Sequence, residues 1–207
     1  DLGVVDLSLN IVEGKKLSIK KIDFKGNFLV ESKVLKNIIS QKERNFLSFI
    51  TDSGMFDPES TNFDIERIKS FYLNKGFLDV QVSLLEIDEK NPLSTKLTFL
   101  IDEGRHYKIR SYKIDGVKSF DIEELKKRIN LVSGDEASKY KIDSVSEAIR
   151  AFYGNRGYIN TNVKTVYDTN PNSGEIDITY SLNEGKKSTI SDVIITGNKR
   201  TLDHVIR

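Results

Sequence analysis

Three stretches of this chain alternate apolar and polar residues and close on the same dipeptide, Glu-Gly. Leu7, Leu9 and Ile11 lead to Glu13-Gly14, and Leu97, Phe99 and Ile101 lead to Glu103-Gly104. Ile176, Ile178, Tyr180 and Leu182 lead to Glu184-Gly185. Alternation with period two predicts a strand that turns one face to a core. At the same interval beyond each Glu-Gly stands another glycine: Gly26, Gly116 and Gly197. Between these marks the apolar positions align as Ile19, Ile22 and Phe24, then Ile109, Tyr112 and Ile114, then Ile190, Val193 and Ile195. A second strand is expected there. Repetition in fixed phase marks a tandem array of like units.

A different period appears between these strands. Ile65, Ile68, Phe71 and Tyr72 recur as Ser146, Ile149, Phe152 and Tyr153, with Ile142 and Val145 one turn earlier. Steps of three and four describe the buried face of a helix. Asp57-Pro58 and Ser138 offer its N-caps, and Gly76 and Gly157 its left-handed stop. The aromatic pairs at its end are read as core. A shorter helix is expected before it, over Glu31–Ile39 with Val34, Leu35, Ile38 and Ile39, and over Asp121–Asn130 with Leu125 and Ile129. Strands are expected again at Asp79–Ile87 and Asn160–Tyr167. Asn91-Pro92 and Asn170-Pro171-Asn172-Ser173-Gly174 then turn each into the run that ends in Glu-Gly.

Each unit therefore reads strand–helix–helix–strand–strand. The fold class is α+β, in tandem β-α-α-β-β units, each a three-stranded mixed sheet covered by two helices. Residues 15–104 and 105–185 form two complete copies. Residues 1–14 read as the last strand of a preceding copy, and 186–207 as the start of a following one. Only the first copy carries an apolar insert between its helices, Phe46-Leu47-Ser48-Phe49-Ile50 with Gly54-Met55-Phe56. The opening residues, Asp1–Val5, read as mid-domain sequence, so a longer parent chain is expected.

Composition narrows function by exclusion. Against 32 Lys and Arg stand 31 Asp and Glu, a net charge of +1. That lacks the basic excess with which a protein neutralises nucleic acid. The absence of cysteine removes disulfides, thiolate zinc sites and cysteine nucleophiles. The two histidines, His106 and His204, lie at unit boundaries without a recurring nucleophile or acid. Asp102-Glu103 and the Asp64, Glu66 pair are explained by a strand end and a helix flank. The glycines match no phosphate-cradling pattern. No catalytic residue, metal ligand or cofactor is expected, and no apolar run reaches the ~18–20 residues of a membrane-spanning helix.

The repeat resembles the polypeptide-transport-associated (POTRA) domain. The resemblance rests on Ile22-Asp23-Phe24-Lys25-Gly26-Asn27, on Phe71-Tyr72 through Gly76-Phe77, and on Phe99 through Glu103-Gly104. The second copy shows Ile114-Asp115-Gly116, Phe152-Tyr153 through Gly157-Tyr158, and Asn183-Glu184-Gly185; the third opens with Ile194-Ile195-Thr196-Gly197-Asn198. Tandem copies resemble those of the BamA family of outer-membrane assembly factors, here the third and fourth domains with parts of the second and fifth. That implies a non-catalytic arm in the periplasm of a Gram-negative bacterium, joined to the membrane only through a C-terminal β-barrel outside this sequence. The implied partners are unfolded outer-membrane protein segments and periplasmic lipoproteins of the assembly machine. A purely structural scaffold holding partner subunits is the second reading. Within the class, the POTRA region of a TamA-like translocation protein or a two-partner-secretion transporter is the third.

The connectivity itself suggests how such a unit binds. First and third strands should run parallel and the second antiparallel to the third, which leaves the second as an open edge. Free backbone N–H and C=O groups along an edge template another strand. The candidate binding residues are therefore Val80, Gln81, Val82, Ser83, Leu84 and Leu85, with Leu84-Leu85 as the contact point. In the second copy they are Thr161, Asn162, Val163, Lys164 and Thr165. The links between copies are short, so Gly104 with Arg105 and Gly185 with Lys186 are expected as hinges of a semi-rigid arm.

Overall fold

The computed structural model describes residues 16–46, 48, 54–88, 94–192, 194, 196, 197 and 205. The strand expected in residues 1–14, the Asn91-Pro92 turn, His204 and the aligned Val193 and Ile195 lie outside them. The chain divides into two compact units that change over between Tyr107 and Lys108, with residues 136–139 grouped with the first.

In the first unit, β1 (Ile19–Lys25) is followed by α1 (Ser32–Ile38), α2 (Pro58–Asn74), β2 (Gln81–Asp88) and β3 (Thr95–Asp102). In the second, β4 (Lys108–Asp115) is followed by α3 (Ile122–Lys126), α4 (Lys139–Gly154), β5 (Asn162–Asn170) and β6 (Glu175–Asn183). Each sheet has three strands, in the orders β1-β3-β2 and β4-β6-β5. The first strand is parallel to the central one and the second antiparallel to it. This is the mixed α+β unit that the repeat predicts.

One feature of the pattern has a cause that alternation alone does not give. The core positions of the first strand step by three and then by two, Ile19 to Ile22 to Phe24 and Ile109 to Tyr112 to Ile114. The register slips between Ile19 and Lys21 and again between Ile109 and Ser111. Each strand carries a bulge, whose extra residue returns the next apolar side chain to the core face.

The helices end as their sequences direct. The Asp57 carboxylate accepts from the N–H groups of Glu59 and Ser60 ahead of α2. At its other end Gly76 N–H donates to the Leu73 carbonyl and Phe77 N–H to the Tyr72 carbonyl, the paired bonds of a Schellman stop. The second short helix is briefer than expected. It ends at Lys126, where Arg128 and Ile129 bond back three residues instead of four and tighten the chain into a turn. Among the described residues, Lys186–Asp192 adopt no strand.

Ile19, Ile22, Leu35, Ile68, Tyr72, Leu97 and Phe99 are all but fully buried in the first core. Ile109, Leu125, Ile142, Ile149, Tyr153, Ile176 and Tyr180 fill the second. The chain leaving α1 is held by a carboxylate that the second copy lacks. Asp64 is fully buried and accepts from Ser40 N–H at 2.6 Å, Ser40 Oγ at 2.8 Å and Gln41 N–H at 2.9 Å. The aligned residue in the second copy is Val145.

Candidate functional site

A three-stranded sheet has two edges, and in both units one of them is already taken. Ile19 N–H donates to the Gly54 carbonyl and Arg44 N–H to the Ile19 carbonyl, each at 2.7 Å, and Phe56 N–H bonds to Leu17 at 2.9 Å. The Glu43 carboxylate accepts from Ile22 N–H at 2.8 Å. The connection between the helices thus covers the outer side of β1. In the second unit Ile109 exchanges bonds with Asp135 and Gly134 at 2.9 and 2.7 Å, and Ser133 Oγ donates to the Arg110 carbonyl.

On the opposite side, the only strand paired with β2 among the described residues is β3, and the only one paired with β5 is β6. Gln81 and Ser83 point to solvent, whereas Val82, Leu84 and Ile87 pack partly against the core. The contact pair expected at Leu84-Leu85 therefore separates. Register slips between Leu84 and Glu86, so Leu85 sits in a bulge, 45% exposed, while Leu84 turns inward. Val80 is not part of the strand. It is buried ahead of it, with its N–H on the Phe77 carbonyl.

The second unit differs. Thr161 also precedes its strand, its hydroxyl bonded to the carbonyls of Tyr158 and Glu184. Asn162 and Lys164 are exposed and Val163 is buried. The Val163 carbonyl accepts from the Arg150 guanidinium at 3.1 Å, and Thr165 Oγ1 lies 2.8 Å from Ser146 Oγ on α4. The helix over β5 engages that strand's own polar groups.

The dipeptide that revealed the repeat proves to be a latch, which its spacing did not disclose. Glu103 is 6% exposed and accepts from the N–H groups of Phe28 and Leu29 and from the Tyr72 hydroxyl at 2.8 Å. Glu184 does the same for Lys118 N–H, Ser119 N–H, Ser119 Oγ and the Tyr153 hydroxyl. One carboxylate ties the end of the third strand to the loop after the first strand and to the core helix. The signal available in the sequence was that Tyr72 and Tyr153 recur in phase with Glu103 and Glu184. Burial and then the neighbouring carboxylate push both phenols well above their ordinary range.

Burial would raise the Glu184 carboxyl, but the bonds from Ser119, Lys118 and Tyr153 outweigh it and hold it at about 2, against an ordinary value of 4.5. A depressed folded value stabilises the fold fully above the unfolded value and loses that contribution as the proton adds. The second unit should therefore weaken in urea as pH falls from 4.5 towards 2, and Glu184→Gln should flatten that part of the profile. An unchanged slope in the variant would sink the assignment.

The residues expected as hinges lie directly after each latch. Gly104 and Gly185 have φ of 63° and 71°, and Arg105 and Lys186 are exposed. Three residues past Gly104, Tyr107 N–H donates to the Gly76 carbonyl and its hydroxyl to Asp79 at 2.6 Å. Ser188 N–H makes the equivalent bond to Gly157 at 2.7 Å. His106 stacks at a tilt on Phe77, 5.0 Å between ring centroids.

The family model for POTRA, described as a surface antigen variable number repeat, matches residues 17–104 and 107–185. The chain is 30% identical over 207 residues to the outer membrane protein assembly factor BamA of Neorickettsia risticii, covering 98% of this chain and 27% of that protein. It is 26% identical to BamA of Neisseria meningitidis, covering 98% and 26%. It spans about a quarter of the length of these curated relatives. Among solved structures, POTRA domains 3–5 of Haemophilus influenzae BamA superimpose with a TM-score of 0.72 at 24% identity, covering 95% of this chain and 78% of that one.

Proposed function

The chain belongs to the POTRA family, and from that premise we propose that it is the periplasmic arm of an outer-membrane protein assembly factor that receives extended polypeptide on β2. The observation that carries the proposal is the state of the four sheet edges. β1 and β4 are covered by their own units, β5 has a carbonyl and a hydroxyl engaged by α4, and among the described residues β2 has only β3 beside it. An extended segment pairing with β2 gains backbone bonds that depend little on its sequence, which suits a handler of many unfolded outer-membrane proteins. A loop of a periplasmic lipoprotein can use the same edge. The similarity to BamA supports this placement, and the insert and the Asp-Pro helix start support numbering the complete copies as the third and fourth domains. Gly104 with Arg105 and Gly185 with Lys186 serve as the pivots of the arm.

Successive N–H groups along a strand point to opposite sides, so proline at two neighbouring positions separates binding from folding. Of Val82→Pro and Ser83→Pro, one removes a ladder bond to β3 and destabilises the sheet. The other removes an outward N–H and should weaken an alternating amphipathic strand peptide by about tenfold with the fold intact. Peptide affinity measured by fluorescence anisotropy decides it. Equal binding by the folded variant and the parent would return the arm to a pure scaffold.

A further inference from the structure

The connections that cover β1 and β4 do not reach equally far along them. Arg44 N–H donates to the Ile19 carbonyl and Gly134 N–H to the Ile109 carbonyl, each at 2.7 Å. The residues ahead of them, Glu43 and Ser133, therefore hold the same place in the two units. Glu43 carries the cover forward. Its carboxylate accepts from Ile22 N–H at 2.8 Å and from Lys36 Nζ on α1 at 2.6 Å. Ser133 is too short for that, and its hydroxyl turns back to the Arg110 carbonyl at 2.8 Å. Lys126, which α3 sets where α1 has Lys36, pairs with Glu123 of its own helix at 2.7 Å.

What this leaves bare follows from the register. β1 and β4 carry the same bulge, and Ile22 lies opposite Leu97 as Tyr112 lies opposite Ile178. Ile22 turns its N–H outward to Glu43, so Tyr112 does the same, and Ile114 follows two residues on. Outside the sheet ladder, none of the hydrogen bonds found among the described residues involves the backbone of Tyr112 or Ile114. Val132, next to Ser133, is 57% exposed.

We propose that the outer edge of β4 from Tyr112 to Asp115 pairs with an extended segment of another polypeptide, apolar at alternate residues. The open groups select the occupant. N–H and C=O groups repeating every second residue along a strand are matched by another extended backbone, whereas a helix bonds its own groups within itself. The Glu43 oxygen on Ile22 N–H shows where such an acceptor sits. Alternating side chains suit the edge: half-buried Tyr112 and exposed Val132 flank it on the helix side, and exposed Ser111, Lys113 and Asp115 on the other. A second copy of β4 fits poorly, since antiparallel self-pairing centred here would set Lys113 against Lys113. The site lies in the second unit and stands whether or not β2 binds.

The test uses the whole chain and a peptide of about ten residues that alternates valine and threonine, long enough to span the edge. Its titration should move the amide resonances of Tyr112 and Ile114 and slow their exchange with solvent. The same peptide N-methylated at every amide should not bind there. Ser133→Glu, which restores the cap of the first unit, should weaken binding at β4 about tenfold, while the thermal melt and any response of Val82 and Ser83 stay unchanged. The proposal is overturned by an absence of saturable shifts at Tyr112 and Ile114, by shifts confined to β2, or by binding at β4 that survives N-methylation or the restored cap. Self-association without peptide that Ser133→Glu abolishes would make the occupant a second copy and overturn it equally.

Discussion

Glu103→Ala should destabilise the first unit by about 3–5 kcal/mol, among the largest effects of a single side chain in this molecule. The substitution leaves three donors without an acceptor: the N–H groups of Phe28 and Leu29 and the hydroxyl of the fully buried Tyr72. An orphaned buried donor forfeits its hydration as well as its bond, so the loss exceeds that from removing one donor. Tyr72→Phe should accordingly cost only about 1–2 kcal/mol. Amide exchange resolved along the chain in rising urea would separate the two units. Protection should fall first in residues 16–107, and Glu184→Ala should move the weakness to the second unit. A Glu103→Ala chain as resistant as the parent would show that the latch contributes nothing to stability.

The second large effect is expected at the glycine that follows the first strand. Gly26 has φ of 85°, and a Cβ built there would lie 2.0 Å from the Ile101 carbonyl oxygen. Gly116 repeats the arrangement, with φ of 92° and 2.2 Å to the Leu182 carbonyl oxygen. Both neighbours are backbone of the central strand and cannot swing aside. Gly26→Ala and Gly116→Ala should each cost about 3–4 kcal/mol, summing left-handed strain and a displaced strand. Gly134 supplies the control, because it shares the left-handed φ of 91° but has nothing within 4 Å of the added carbon. There alanine should cost only about 1–2 kcal/mol. Equal losses at Gly26 and Gly134, measured by urea denaturation, would rule out the contact with β3 as the reason for the glycine.

Much of the fold was legible because its determinants are local. The helix stop at Gly76-Phe77, the cap at Asp57 and the alternation of Leu97, Phe99 and Ile101 each depend on a few adjacent residues, and three phased copies separated them from chance. The bulges in β1 and β4 were visible as an uneven step from Ile19 to Ile22 but not as bulges, since only the partner strand defines register. The candidate edge was legible as a strand without a second neighbour. Its composition was less so: Val80 and Thr161 fall outside the strands, and the slip at Leu85 exposes one leucine and turns the other partly inward.

The sequence by itself determined the unit, its repetition and the order of its elements. These follow from periodicity, turn residues and composition, which act over a few residues at a time. Only the tertiary structure decided that Glu103 and Glu184 are latches, that the helix connections cover β1 and β4, and that Glu43 caps Ile22 while Ser133 turns back to Arg110. Each of those depends on residues far apart in the chain meeting in space. A carboxylate in a strand end looks the same in sequence whether it faces water or a loop's N–H groups and a buried hydroxyl, and packing alone tells them apart.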